Sequence, residues 1–345
     1  MPLTLEAVAK LAGVSRSTIS RVVNGDKRVK ESTRTKVQEV LDSLNFQPNL
    51  AARSLTSGKT GIIGLVIPAG VMTLFTDPYF PQLIQGITAA CNIHDYSVML
   101  WLDEPSYQLR TIRQILYGGL LDGVIISSML MDDPIVEALS DSKMPFILVG
   151  RHPVLNLNYL DVNNAAGGYK ATSFLIEQGC KRVATITGPQ NMIAGYDRFQ
   201  GYRQALSTHG RKLDPGLVVE GDFTEASGYA GIKKLIPSNP DGVFVASDIM
   251  AIGALRALRE MNVRVPRDIS LIGFDDAPVA ALTDPPLTTM RQTIFDMGYR
   301  TLETLIEIIM DPEHKIRQIV LDSELVIRQS CLVKNVDLVD LEEVV

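Results

Sequence analysis

TLEAVAKLAGVSRSTISRVVNG, residues Thr4 to Gly25, decides how the first part of the chain folds. Thr4 can cap a helix whose apolar side is Leu5, Val8, Ala9 and Leu11. Ala12-Gly13-Val14 interrupts it, and Gly13 can take the positive φ of a tight turn. Ser15 caps a second helix with an apolar side of Ile19, Val22 and Val23, and Asn24-Gly25 stops it. Two short helices joined by a glycine-containing turn form a helix-turn-helix, whose second helix lies in the DNA major groove. A third amphipathic helix with Val37, Val40, Leu41 and Leu44 closes a three-helix core. Arg16, Ser17, Thr18, Ser20 and Arg21 remain on the outer side of the second helix. Such hydroxyls and guanidiniums bond phosphates and base edges, although the same residues also make an ordinary solvated face.

Charge sharpens this reading. Residues 1–60 hold ten Lys/Arg and five Asp/Glu (10 − 5 = +5), whereas the remaining 285 hold 23 and 34 (23 − 34 = −11), giving the net −6. An acidic body with a basic head draws phosphates to the head alone. The composition, 46% hydrophobic and 21% charged, is that of a soluble globular protein, and 345 residues allow two or three domains. Met1 to Lys10 lacks the order of a secretory signal, and no apolar run reaches the ~20 residues of a membrane span. Cys91, Cys180 and Cys331 are odd in number and far apart, which suits reduced thiols. A cytoplasmic protein without cofactor or metal is expected.

Downstream of the third helix, Asn49 can cap a helix of about two turns, too short to hold alone in water. Ser57-Gly58-Lys59-Thr60 imitates the end of a phosphate-binding loop. The first glycine of that motif would fall at Arg53, and the segment precedes its strand, so nucleotide hydrolysis is set aside. From Gly61 onward short apolar strands alternate with helix-length segments. Strands are expected at 61–67, 97–102, 123–126, 146–149, 182–187, 217–220, 242–246 and 269–274. Helices are expected near 80–93, 107–118, 133–142, 165–178, 194–208, 224–236, 248–261 and 295–310. Such alternation implies parallel sheets wrapped by crossover helices, and two halves of similar length imply two lobes with a ligand between them.

Ala9-Lys10-Leu11-Ala12-Gly13-Val14-Ser15, then Thr18-Ile19-Ser20-Arg21-Val22-Val23-Asn24, then Ser32 through Leu55, closely resemble the headpiece and hinge of the lac-repressor (LacI/GalR) family. Further matches to that family's effector domain are Asp77-Pro78-Tyr79-Phe80, Asp161-Val162-Asn163-Asn164, Arg198-Phe199-Gln200-Gly201-Tyr202 and Gly221-Asp222-Phe223. Ser247-Asp248, Gly273-Phe274-Asp275-Asp276, Pro286-Leu287-Thr288-Thr289 and a closing strand at 324–328 follow. The resemblance implies an all-α helix-turn-helix headpiece (1–46), a hinge helix (47–59), a bilobal α/β body of the periplasmic-binding-protein type (60–330) and a tail (331–345), the last read as disordered or a loose strand.

It further implies a regulator, more specifically a repressor, that binds a pseudo-palindromic operator as a homodimer under the control of a small-molecule effector. Arg16, Ser17 and Arg21 would face bases, with Leu55 wedged into the minor groove. Thr4, Ser15, Thr18, Ser20, Asn24, Lys30, Thr33 and Asn49 would meet phosphates; Lys30 departs from the capping Ser or Ala common in relatives, so a helix cap is lost there. Tyr79, Phe80, Arg198, Phe223, Ser247, Asp248 and Asp275 would surround the cleft. Tyr79 and Phe80 could equally be core, and Asp248 a helix cap. Gly150 stands where relatives often carry an acid. The implied effector is a carbohydrate; Met192 and Ala194 stand where a purine site would want polar groups. A sugar-binding protein without DNA function is the rival reading, and the basic head argues against it. For an enzyme, His94, His152, His209 and His314 lack partners at metal spacing, and no nucleophile elbow is present.

Overall fold

The computed structural model describes residues 4–332 except 24, 25, 27, 45, 47–58, 68–70, 103–107, 128, 129 and 312. Asn24, Asn49, Leu55, nearly all of the expected hinge and most of the tail therefore lie outside the described residues. The chain divides into two compact units, Met1–Gly61 and Ile62–Val345.

The first unit contains α1 (Leu5–Ala12), α2 (Arg16–Val23) and α3 (Glu31–Ser43). Each is short for an isolated helix in water. Their stability comes from a shared core of Val8, Ala9, Ala12, Ile19, Val22, Val37 and Leu41. Leu11, assigned above to the inner side of α1, points outward and is 62% exposed. The turn after α1 runs through Gly13 at φ +64°, the left-handed position expected of it.

The second unit carries two six-stranded sheets. The first has the order β11-β5-β4-β3-β1-β2, from β1 (Ile62–Ile67), β2 (Ser97–Leu102), β3 (Gly123–Ser127), β4 (Phe146–Val149), β5 (Tyr159–Val162) and β11 (Gln318–Leu321). All its pairings are parallel. The second has the order β12-β10-β9-β8-β6-β7, from β6 (Val183–Thr187), β7 (Val218–Glu220), β8 (Gly242–Val245), β9 (Ser270–Asp275), β10 (Thr288–Arg291) and β12 (Glu324–Val326). Here β12 pairs antiparallel with β10 and the other pairings are parallel.

Both faces of each sheet are covered, as parallel sheets require. Ile63, Leu65 and Ile67 of β1 face one core, which α5 (Tyr79–Ile93) and α12 (Ile294–Met310) cover. Ile62 and Val66 face the other, under α6 (Gln108–Tyr117) and α7 (Pro134–Ser140). In the second sheet Val243 and Val245 of β8 meet α10 (Glu225–Leu235) and α11 (Asp248–Glu260), while Phe244 turns toward α8 (Asn164–Glu177) and α9 (Ile193–Thr208). A short helix, α4 (Val71–Thr76), follows β1.

Three strands were missed by the sequence reading: β5, β10 and β11. Thr288 and Thr289 of β10 are fully buried with their hydroxyls bonded, to the Arg328 amide and the Asp248 carboxylate respectively. A polar text thus forms an interior strand. The lobes are also not consecutive halves. The chain crosses between them at Asn163, at Gln292-Thr293 and at Asp322-Ser323, so α12 and β11 return to complete the first lobe.

Helix pairing depends on glycines that let backbones touch. A Cβ on Gly86 of α5 would lie 2.0 Å from the Phe295 carbonyl oxygen, and one on Gly298 of α12 would lie 2.3 Å from that of Leu83. Gly168 with Gly201, and Gly228 with Gly253, repeat this reciprocal arrangement in the α8–α9 and α10–α11 pairs. In a free helix Gly→Ala gains up to about 1 kcal/mol, whereas overpacking costs about 1–3 kcal/mol. We expect Gly86→Ala to destabilise the body by about 2 kcal/mol, lowering Tm by roughly 4–8 °C. An unchanged or raised Tm in a calorimetric scan would show that α5 and α12 can separate without loss.

Candidate DNA-reading helix and inter-lobe cleft

Thr4 caps α1 by accepting from the Ala7 amide at 3.3 Å, and Ser15 caps α2 by accepting from the Thr18 amide at 3.2 Å. The Ser15 hydroxyl also lies 2.8 Å from that of Ser17 and 2.9 Å from that of Thr18, which places three hydroxyls together at the N-terminus of α2. An N-terminus with free donors is suited to a phosphate. Arg16, Ser17 and Arg21 are exposed on the side of α2 opposite Ile19 and Val22, while Thr18 and Ser20 are half-buried. Arg16 is held by Glu6 at 3.0 Å, with both side chains mostly in solvent. An exposed pair of this kind is worth about 0–1 kcal/mol, so Arg16 is readily exchanged to another acceptor. Lys30 at the start of α3 makes no side-chain cap, as its departure from the family pattern implied, and Thr33 is half-buried one turn on.

In the body, a cavity of about 250 Å³ lies between the lobes. Its walls come from the carboxyl ends of strands in both sheets, where ligands bind in open α/β folds. The first lobe supplies Asp77, Tyr79 and Phe80 after β1, Leu130 after β3, Val149 and Gly150 at β4, and Asp161 and Val162 of β5. The second supplies Met192, Ile193 and Ala194, then Asp222 and Phe223 after β7, Ser247 after β8 and Asp275 of β9. Asn164 and Gln292 enter from the crossovers and Met297 from α12.

Six of the seven residues expected at the cleft line it. Asp248 does not: one carboxylate oxygen accepts from Thr289 at 2.6 Å and the other from the Ala277 amide at 2.8 Å. Wholly buried, it joins α11 to β10 and the segment after β9. Ser247 caps α11 by accepting from the Met250 amide, while still bordering the cavity. Phe80 serves both as core and as wall. Gly150, at φ +94°, leaves its wall to backbone and to Ile193. The sequence reading did not single out Asp77, Asp161, Asn164, Asp222 or Gln292. Four of these sit inside motifs already quoted, so the signal was present there; Gln292 carries no local signal.

Arg198 is the most constrained group of the site. It is 5% exposed, donates from Nε to Asn164 at 2.8 Å and from Nη1 to the Ala246 carbonyl at 2.6 Å, and lies 3.4 Å from Asp275. Its guanidinium stacks 3.7 Å from the centroid of Phe274. Burial pulls its pKa down, and the charge of Asp275 opposes that. Asp275, at φ +117°, also accepts from Gln292. Burial pushes its carboxyl up to about 7, against the pull of Arg198. Tyr79 is likewise lifted above the ordinary phenol range, mainly by burial, with a hydrogen bond to Ser127 acting the other way.

A second cluster closes the lobes on each other. Arg151, which follows β4, donates to Asp161 at 3.0 Å and reaches across to Asp197 of α9. The Met131 amide donates to the Asn191 carbonyl at 2.8 Å, again from the first lobe to the second. Among the described residues no group of His, Cys, Asp or Glu could hold a metal ion, and no helix is long and apolar enough to cross a membrane.

A helix-turn-helix joined to a bilobal body with a small-molecule cleft defines a ligand-responsive transcription regulator. Residues 4–49 match the model of the lacI family of bacterial regulatory proteins, and 172–331 match that of periplasmic binding protein-like domains. The HTH-type transcriptional regulator CelR of Thermobifida fusca is 38% identical over 332 residues, 95% of this chain and 98% of its own length. The ribose operon repressor of Escherichia coli is 33% identical over 314 residues, 90% of this chain and 94% of its own. Among solved structures, a CelR–cellobiose complex aligns at TM-score 0.76 with 36% identity, covering 95% of this chain and 99% of that one. The lac repressor dimer bound to operator and the anti-inducer ONPF aligns at TM-score 0.84 with 27% identity, covering 96% and 100%. The chain belongs to the lacI family of bacterial regulatory proteins.

The state of Asp275 can be tested directly. An unfolded aspartate near 3.8 holds its proton less tightly than native Asp275 near 7. This residue therefore favours the fold below about pH 4, and that contribution is lost as pH rises from about 4 to about 7. Carbon-detected NMR should show Asp275 titrating near neutrality, whereas Asp268, drawn down to about 2 by Arg264, titrates far lower. Arg198→Met should move Asp275 higher still. A midpoint near 4 for Asp275 would mean that the cleft is wetter than described.

Proposed function

We propose that this protein is a homodimeric repressor of the bacterial cytoplasm and nucleoid, which binds a pseudo-palindromic operator and responds to a carbohydrate held between its lobes. The observation that carries the reading is the presence, in one chain, of an exposed Arg16, Ser17 and Arg21 on a helix-turn-helix and an enclosed cleft built around Arg198 and Asp275. Arg16, Ser17 and Arg21 read bases, and Leu55 wedges between them in the minor groove. Thr4, Ser15, Thr18, Ser20, Asn24, Lys30, Thr33 and Asn49 hold phosphates. Tyr79, Phe80, Arg198, Phe223, Ser247 and Asp275 contact the effector. CelR, captured with cellobiose, and the ribose operon repressor are relatives whose names point to sugars.

The parts divide the work: 1–46 reads DNA, 47–59 forms the hinge, 60–330 senses ligand and dimerises, and 331–345 is a tail. The ligand is bound and released unchanged, so the protein performs no catalysis. Control follows because a ligand touching both lobes favours one lobe arrangement over the other.

Operator affinity should fall by about 10³–10⁵ between 50 and 200 mM salt if six to ten phosphates are contacted. Exchanging Arg16 and Ser17 should change the preferred half-site bases, by about 1–3 kcal/mol per lost bidentate contact. Selection from random duplexes followed by salt titration checks both. A flat salt response, or an unaltered consensus after the exchange, would remove this reading.

A further inference from the structure

Among the described residues, five ionisable side chains line the cleft: Arg198 and the carboxyl groups of Asp77, Asp161, Asp222 and Asp275. The cation is already committed, to Asn164, the Ala246 carbonyl and Asp275, and is stacked on Phe274. Asp275, which titrates near 7, offsets part of the Arg198 charge at neutral pH. Asp161 shares Arg151 with Asp197, two acids on one cation. Among the described residues no basic side chain bonds to Asp77 or Asp222; Asp77 accepts from the Tyr79 amide, and Asp222 from the amide and hydroxyl of Thr224. The described lining holds no lysine or histidine.

We propose that the cleft selects an uncharged polyhydroxyl ligand and rejects phosphorylated or carboxylated sugars, with Asp222 as a principal discriminating residue. The inference rests on the reading that the effector is a sugar, and it names which sugars. Asp222 is exposed where the second lobe borders the cavity. Partial burial would raise its pKa, but the Thr224 and Ser227 hydrogen bonds outweigh this and hold it below the usual aspartate range. It is therefore a fixed anion at neutral pH. A carboxylate so placed accepts from a ligand hydroxyl and repels a phosphate.

One feature works the other way. The N-terminus of α9 borders the cavity at Met192, Ile193 and Ala194 and has no side-chain cap. Its dipole amounts to roughly half a positive charge, and Asp197 sits within its second turn. That half charge and the part of Arg198 not offset by Asp275 do not exceed the fixed anion of Asp222 together with the second acid beside Arg151. Burial raises the pKa of Asp77, and the balance does not depend on it.

The test is a thermal-shift and calorimetric panel of matched ligands on the full chain: cellobiose, glucose and ribose, their terminal phosphates, and glucuronic acid. At least one neutral sugar should bind, and its charged counterpart should bind on the order of 100-fold more weakly, as expected for like charges brought together. Asp222→Asn keeps an acceptor for Thr224 and removes the charge, so it should narrow that ratio by about tenfold. A charged sugar that binds as tightly as its neutral parent, or an unchanged ratio in Asp222→Asn, overturns this inference and leaves the sugar cleft standing. Stabilisation by no sugar of either kind overturns the sugar reading itself, and this inference with it.

Discussion

The guanidinium of Arg198 sits where the ends of β8 and β9 meet the start of α8, and it satisfies an acceptor on each. A buried cation without partners is costly, and so is each partner without the cation. Asn164, Ala246 and Asp275 are therefore held in place by one group, and Asp275 passes the constraint on through Gln292 to a crossover between the lobes. The cleft is shaped by this network more than by the apolar residues around it. Phe274, beneath the guanidinium, adds a face on which a cation is attracted to the ring.

The first unit is built on the opposite principle. Its three helices carry only small apolar residues and leucine-sized side chains in their core, and no buried ion pair appears among its described residues. Helices this short are held by each other and by caps at Thr4 and Ser15. The economy leaves the polar groups of α2 on its outer side, where a nucleic acid can be met without unfolding anything.

Much of this was legible in the sequence, and the failures have physical causes. The turn glycine, the serine cap and the 3.6-residue apolar spacing of the first unit are local signals, and they read correctly apart from Leu11. The β/α alternation was likewise plain wherever strands were made of Val, Ile and Leu. It failed at β10, because buried threonines look like a loop until their hydrogen-bond partners, 41 and 40 residues away in sequence, are known. The reciprocal helix glycines were silent for the same reason, since their significance depends on a distant backbone. In the cleft, Arg198 and Asp275 stood out by chemistry, while Asp248 could be read from its motif either as a ligand contact or as a helix cap, and its partners, Thr289 and the Ala277 amide, were not legible locally.

The interleaving of the lobes bears on how the chain is made. Within the body β1 through β5 leave the ribosome first, yet α12, which with α5 covers one face of their sheet, and the edge strand β11 follow the bulk of the second lobe. Domains generally fold as they emerge. Here the lobe that begins first cannot be finished until most of the second has been made, and Leu83, Ile87 and Ala90 of α5 wait for their α12 partners while the second lobe is translated. Nascent chains from which β10 has emerged but α12 has not would therefore carry most of a second lobe beside a first lobe with an open apolar seam, a surface that chaperones and proteases can meet.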